Sequence, residues 1–312
     1  MIMLKVHIYS EKEVKYGTIA QSKQPNISWV QATSPTDKEF DKISAEFNIS
    51  KQELDRYLRT KERPHIEKKE HYSVITVKLL SLKKSCYTTA PLAIFVFKNN
   101  ILTITKNQTK VFDKLLKDKN AINNFFKQGH DTVLYALMST VARDYSEKLS
   151  KLEDELEEIE ERAISASGAK VEETFHLRKS LLYIRKGLYE NKEVIKDIEE
   201  GLVTEIKHKQ LFHHPFLEYL ELIDLEALLH ERLSSVLELS LNSVSNKLNN
   251  VMKYFTIIAT LVLLPTLVTG IYGMNFRVIP LADHQYGFWL ALGIMGLVVL
   301  CAVWAFKKMQ WL

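Results

Sequence analysis

Charge is segregated along this chain, and that restricts its possible folds more than any other feature. Of the 42 Lys and Arg and 38 Asp and Glu, only Arg277, Asp283, Lys307 and Lys308 lie after Lys253. Two uncharged runs follow, 254–272 and 287–306, of 19 and 20 residues. At 1.5 Å per residue each reaches roughly 28–30 Å as a helix, about the thickness of a bilayer core. Tyr254, Phe255, Tyr272, Phe276, Tyr286, Trp289, Trp304 and Trp311 stand near their ends, where aromatic side chains straddle the lipid–water boundary. Overall composition, 26% charged and 46% hydrophobic over 312 residues, averages over this division and taken alone reads as a soluble protein of about two domains. A pair of buried core helices is the alternative to two spans, but uncharged runs this long favour spanning.

The flanks set an orientation. Lys247 and Lys253 precede the first run, Lys307 and Lys308 follow the second, and the loop between carries only Arg277 and Asp283. The bias of positive charge toward the cytoplasm places the chain in the cell membrane with both termini in the cytoplasm and the loop outside. Residues 1–10 have no long apolar core and no cleavage site, so a signal peptide is not expected. A net charge of +4 is too small to argue for nucleic acid. Cys86 and Cys301 give neither a disulfide framework nor a metal-ligand spacing, and packing roles suffice for both.

The water-facing part divides in two. Residues 1–130 alternate strand and helix signals, with strands expected at 5–10, 26–32, 72–80, 92–97 and 101–106. Ser34-Pro35-Thr36-Asp37 suggests Ser34 as N-cap and Pro35 as first residue of a helix to about Phe47, and Ser50-Lys51-Gln52-Glu53 is a capping box for another. No Gly-rich phosphate loop, nucleophile elbow or nucleophile–base set can be assembled, so an enzyme is not expected. From about His130 the pattern becomes helical. Leu149, Leu152, Leu156, Ile159 and Ala163 form one apolar seam. After a break at 165–168, Val171, Phe175, Leu181, Ile184, Leu188, Ile195, Ile198 and Leu202 form a second, giving an antiparallel hairpin. Its first arm holds eight acids and three bases between Glu147 and Arg162, either a solvated face or a polyanionic surface for cations.

From Phe216 to Leu264 there is neither Gly nor Pro, a 49-residue stretch that as a helix would span about 74 Å. Such a helix is a stalk that enters the bilayer as the first span. Near and within that span, Asn249, Met252, Thr256, Ala259, Leu263, Thr266 and Gly270 recur at alternating spacings of three and four. They define a polar, small or flexible stripe, flanked by Ile257, Ile258, Leu261, Leu264, Val268 and Ile271. Small and polar residues in membranes face other helices or water, so the stripe is either a helix–helix contact or a pore lining. A pore from so few spans needs several copies. Neither span carries Asp, Glu, Lys, Arg or His, which favours a passive conduit over a proton-coupled one.

Beyond the first span stands Tyr272-Gly273-Met274-Asn275-Phe276. With Met252-Lys253 and Leu264-Pro265-Thr266 before it, the run 249–276 strongly resembles the CorA family of magnesium channels, and Arg63-Pro64-His65-Ile66-Glu67 with the strand after it resembles that family's sheet region. The resemblance implies a funnel-shaped homopentamer: an α+β cytosolic domain and a long stalk helix continuing into a two-helix transmembrane region. On this reading the segments are a cytosolic α/β domain (1–130), a helical hairpin (131–206), the stalk (207–253), the pore-lining span (254–272), an extracellular loop (273–286), the outer span (287–306) and a basic tail (307–312). Gly273, Met274 and Asn275 would form the selectivity ring. Asn249, Met252, Thr256, Leu263, Thr266 and Gly270 would line the pore, and Phe255 with Met252 would make a hydrophobic gate. Glycine at 273 would permit the turn of the backbone.

The implied activity is uptake of Mg²⁺, with Co²⁺ or Ni²⁺ as further cargo, regulated by cytosolic Mg²⁺ and without a resident cofactor. A zinc transporter of the same superfamily and a non-conducting membrane scaffold are the alternatives. The loop departs from the family pattern, with Ile279-Pro280-Leu281-Ala282 and a single acid, Asp283, where an acidic element is common, and the tail, Lys307-Lys308-Met309-Gln310-Trp311, is a shorter basic run. Asp224, Glu226 and the acids between Glu153 and Glu161 are candidate sensors. The histidines, among them His208, His213 and His214, read as surface residues.

Overall fold

The computed structural model describes residues 4–23, 26–59, 63–164, 171–275, 277, 279–281 and 283–311. The chain divides into two compact units, Met1–Leu237 and Glu238–Leu312.

The first unit is built on a mixed sheet. Its strands are β1 (Leu4–Ser10), β2 (Glu13–Tyr16), β3 (Ser28–Thr33), β4 (Ile66–Lys68), β5 (Ser73–Lys83), β6 (Cys86–Val96) and β7 (Asn100–Thr105). Among the described residues they lie in the order β2-β1-β3-β7-β6-β5-β4, with β3 and β7 parallel and every other pair antiparallel. Alternation sends Leu92, Ile94 and Val96 of β6 to one face and Ala93 and Phe95 to the other, and all are buried. A strand covered on both faces loses the polar half of its alternation. Short apolar runs therefore understated β5 and β6, and β2 and β4, which are edge strands, escaped notice.

Helices α1 (Asp37–Phe47) and α2 (Lys51–Tyr57) cover one face through Ile43, Leu54 and Tyr57. The N-cap of α1 is Thr36, not Ser34. Thr36 and Glu39 form a reciprocal capping box, while Ser34 takes φ 51° and donates its N–H to the Thr105 carbonyl. Ser50 caps α2 by accepting from the Glu53 N–H. Helices α3 (Asp113–Lys117), α4 (Lys119–Gln128), α5 (His130–Ile164) and α6 (Val171–Glu200) follow, and α4, α5 and α6 supply the core on the opposite face.

Leu149, Leu152, Leu156, Ile159 and Ala163 of α5 are buried against that core, as are Leu181, Ile184, Leu188, Ile195 and Ile198 of α6. Two members of the expected second seam are not in it. Phe175 is exposed, and Leu202 lies beyond the helix end, where Gly201 adopts φ +94°. The Val171 side chain and the break at 165–168 fall outside the described residues. The acidic arm is more than a solvated face: Arg232 donates from Nη2 and Nε to the two Glu160 oxygens at 2.7 and 3.1 Å and from Nη1 to Glu153 at 3.4 Å. This fork ties α5 to the next long helix.

That helix, α7 (His213–Tyr272), follows a short 3-10 turn at Lys209–Phe212 and is 60 residues long. It starts three residues before Phe216 because a proline is tolerated in a first turn, where its missing N–H would have no partner. It also runs through Pro265. The last helix, α8 (Gly287–Lys308), completes the second unit. Both α7 and α8 contain stretches long and apolar enough to cross a membrane.

Candidate ion pathway

In the second unit, one face of α7 is partly covered and another is left open. The less exposed positions after residue 250 are Lys253, Ile257, Thr260, Leu261, Leu264, Pro265, Val268 and Tyr272. On α8 they include Gly287, Ala291, Met295, Val298, Val299, Ala302, Val303 and Phe306. A cleft of about 460 Å³ near the ends of the two helices is lined by Val268, Thr269 and Tyr272 from one and Phe288, Ala291 and Met295 from the other, so these faces lie side by side there. Gly287 is required at the start of α8, since a Cβ would sit 1.9 Å from the Leu281 carbonyl oxygen.

Asn249, Met252, Thr256, Ala259, Leu263, Thr266 and Gly270 are all exposed within the chain. At 100° per residue the stripe is centred about 150° around α7 from the covered face. The stripe is therefore not the contact between the chain's own two apolar helices. Phe255, 66% exposed, lies beside Met252, 63% exposed, and both are unburied by α8.

The hydroxyls give the stripe a polarity. Thr256 donates to the Met252 carbonyl at 2.8 Å and Thr266 to the Val262 carbonyl at 2.7 Å. Thr260 and Thr269 bond back to their own helix in the same way. A hydroxyl has one proton and two lone pairs, so with the proton committed inward each threonine offers only acceptor capacity outward. Outward acceptors match the outward-pointing hydrogens of a hydrated cation.

Gly273, Met274 and Asn275 follow the end of α7. The Gly273 N–H reaches the Thr269 carbonyl at 2.9 Å and the Met274 N–H the Ile271 carbonyl at 3.2 Å, so the helix tightens as it stops. Gly273 lies in a turn, as expected, but without a left-handed φ. Its Cβ would instead meet the Thr269 oxygen at 3.3 Å, so close approach is what favours glycine. Met274 and Asn275 are exposed, and the Asn275 amide has no hydrogen-bond partner among the described residues. Phe276 and Ala282 fall outside the described residues, and Asp283 is exposed in the loop.

Sequence reasoning named Asn249, Met252 and Thr256 but missed what lies beside them. Asn246, Asn249, Asn250, Met252, Lys253 and Thr256 line a cleft of about 550 Å³ that Trp311 helps to close. Trp311 is held by stacking on Phe306 with centroids 5.9 Å apart, and Lys308 lies over the Trp304 ring at 5.3 Å. A short basic tail gave no hint that its last aromatic folds back. The candidate sensors do not converge within the chain. Asp224 is exposed, whereas Glu226 is fully buried, 3.6 Å from Arg185, and burial raises its carboxyl above the ordinary range. Among the described residues no three His, Cys, Asp or Glu side chains group as metal ligands. His208 and His213 are well exposed, but His7 is a core residue, 2% exposed.

The comparisons with known proteins agree with this architecture. The family model described as CorA-like Mg²⁺ transporter protein matches residues 25–308. The cobalt/magnesium transport protein CorA of Methanocaldococcus jannaschii is 32% identical over 310 residues, covering 96% of this chain and 98% of the relative. That of Thermotoga maritima is 29% identical over 273 residues, covering 85% and 78%. The complete structure of the CorA magnesium transporter from M. jannaschii superposes with a TM-score of 0.90 at 28% identity, covering 100% of this chain and 99% of the other. With a matching sheet unit, a matching long helix and a matching apolar pair, the chain belongs to the family of CorA-like Mg²⁺ transporter proteins.

Proposed function

We propose that this protein is a passive uptake channel for hydrated Mg²⁺, with Co²⁺ and Ni²⁺ as further cargo, assembled as a homopentamer in the cell membrane with both termini in the cytoplasm. The observation that carries the reading is the open acceptor stripe of α7, which the chain's own α8 leaves uncovered. Several copies around an axis bring such stripes to face one another, whereas one chain encloses nothing. The names of the relatives, cobalt/magnesium transport proteins, support Mg²⁺ and Co²⁺ as cargo.

The chemistry is coherent with neutral groups. Mg²⁺ dehydrates reluctantly and demands octahedral oxygen geometry, so an entrance that binds its water shell avoids the cost of stripping it. A ring of Asn275 side-chain oxygens, with the carbonyls of Gly273 and Met274, offers acceptors to those waters. Carboxylates would hold the ion more tightly and slow its exit. Further in, the Thr266 and Thr256 oxygens continue the acceptor line, and Met252 with Phe255 forms an apolar constriction that closes by dewetting, under control of cytosolic Mg²⁺. A dication entering an inside-negative cell gains about 4.6 kcal/mol per 100 mV, which suffices to drive uptake.

Mg²⁺ flux into liposomes holding the full chain tests this. Asn275→Ala is expected to abolish selective Mg²⁺ influx while the oligomer stays intact, and Thr266→Leu to reduce influx strongly. Unchanged Mg²⁺ influx in both variants contradicts the assigned ring and stripe, whereas no influx with the unmodified protein selects the scaffold alternative. Zn²⁺ flux exceeding Mg²⁺ flux in the unmodified protein selects the zinc alternative.

A further inference from the structure

Far in sequence from the stripe, the two-residue turn between β5 and β6 presents a cysteine to a histidine of α6. Lys83 pairs with Cys86, so Lys84 and Ser85 form the turn, at φ 48° and 62°. Left-handed values at both positions define a type I′ hairpin, which here uses no glycine. Next to it, Tyr87 N–H donates to Ser180 Oγ at 3.0 Å, fixing the start of β6 against α6. Cys86 Sγ then lies 2.9 Å from His176 Nδ1. The other ring nitrogen, Nε2, faces Glu172 Oε1 at 3.6 Å, one turn back on α6.

This arrangement discriminates between two uses of a Cys–His pair. A metal ion shared by thiolate and carboxylate would need both on the same side of the imidazole. Here they flank opposite nitrogens, so the three groups cannot chelate one ion through that ring. The order thiol, imidazole, carboxylate is instead the one that can take a proton from sulfur: in the tautomer with its hydrogen on Nε2, Nδ1 is open to accept, and the exposed Glu172 carboxylate lies on the Nε2 side. Cys301, the other cysteine, is exposed on α8 and has no such base among the described residues.

We propose that Cys86 is a thiol activated by His176 for covalent modification by hydroperoxides. The S–H proton passes to His176 Nδ1. The thiolate attacks one peroxide oxygen, forming an S–O bond as the O–O bond breaks. The departing hydroxide (or, from an organic hydroperoxide, alkoxide) takes the proton from the imidazolium and leaves as water (or the alcohol). Sulfur is oxidised to the sulfenic acid, the peroxide is reduced, and no further reactant is consumed. The thiol is 4% exposed and the His176 side chain 35% exposed, so access is limited to small reagents.

Burial alone predicts protection, whereas activation predicts acceleration, and the two are distinguished by rate. The full chain in detergent at pH 7 is treated with hydrogen peroxide in the presence of dimedone, and labelling of Cys86 is followed by peptide mass spectrometry. A synthetic peptide spanning 83–88 carries the same neighbouring lysines without the fold. The thiolate, not the thiol, attacks peroxide, so a base held against the sulfur accelerates the reaction over the same residue in an unfolded peptide. Labelling of Cys86 about tenfold faster than the peptide is expected, returning to the peptide's rate or below in His176→Gln. A rate in the unmodified protein equal to or below the peptide's overturns the proposal, and so does an enhancement that survives in His176→Gln.

Discussion

Thr256 and Thr266 illustrate how a side chain's role depends on where its proton goes. Each spends its donor on a carbonyl one turn back, which leaves lone pairs on the open face of α7. The positions were legible from spacing alone. The direction of the hydrogen bonds was not, because periodicity reports which face a residue occupies and nothing about its rotamer. His7 shows the converse. A lone histidine in a strand reads as unremarkable, yet it stacks on Trp29 with centroids 5.1 Å apart, and burial, reinforced by Lys5, lowers its pKa to about 4. An unfolded chain takes up that proton near pH 6.5, whereas the folded chain refuses it until about pH 4. Stability therefore falls as pH falls across this window and is indifferent to this group above it, by about 3 kcal/mol in all. Denaturant unfolding of the full chain in detergent between pH 7 and pH 4 should show that loss. His7→Phe should flatten His7's share of the slope, and an equally steep decline in the variant would assign the effect elsewhere.

The start of α8 is crowded by the backbone of the preceding loop. Gly287 begins α8 where the Leu281 carbonyl leaves no room for a Cβ. Gly287→Ala should destabilise the second unit by about 1–3 kcal/mol through forced repacking, read as a fall of several degrees in the thermal midpoint. Gly293→Ala, where nothing lies within 4 Å, should leave the midpoint unchanged. Equal effects from the two would remove the steric argument. The long helix was legible because 49 residues lacked any breaker, and its two prolines lie outside that stretch. Pro215 sits in the first turn at no cost, and Pro265 is carried within a helix that continues to Tyr272. The sheet was harder to read. Central strands buried on both faces show no alternation, and four-residue and three-residue edge strands have too little pattern to detect. The capping site of α1 moved by two residues because Ser34 and Thr36 are both good caps, and only Thr36 has a glutamate three residues on.

For the molecule as a whole, the feature that no single chain explains is a polar stripe left open along an apolar helix. The proposed assembly of five copies would account for it by turning the stripes toward a common axis, and on that proposal native mass spectrometry of the detergent-extracted protein should give a mass five times that of the 36.1 kDa chain. A monomer as the only species would leave the stripe facing lipid, where acceptors without donors are costly. The pathway itself is tested most directly by Cd²⁺ block of Mg²⁺ flux in liposomes, with one cysteine at a time placed along α7 on a Cys301→Ser background. Block is predicted at Thr256→Cys, Leu263→Cys and Thr266→Cys, which share the stripe, and no block at Ile258→Cys or Leu261→Cys, which lie off it. Block that ignores this periodicity, or flux indifferent to Cd²⁺ at all five positions, would contradict a conduction path along the open face of α7.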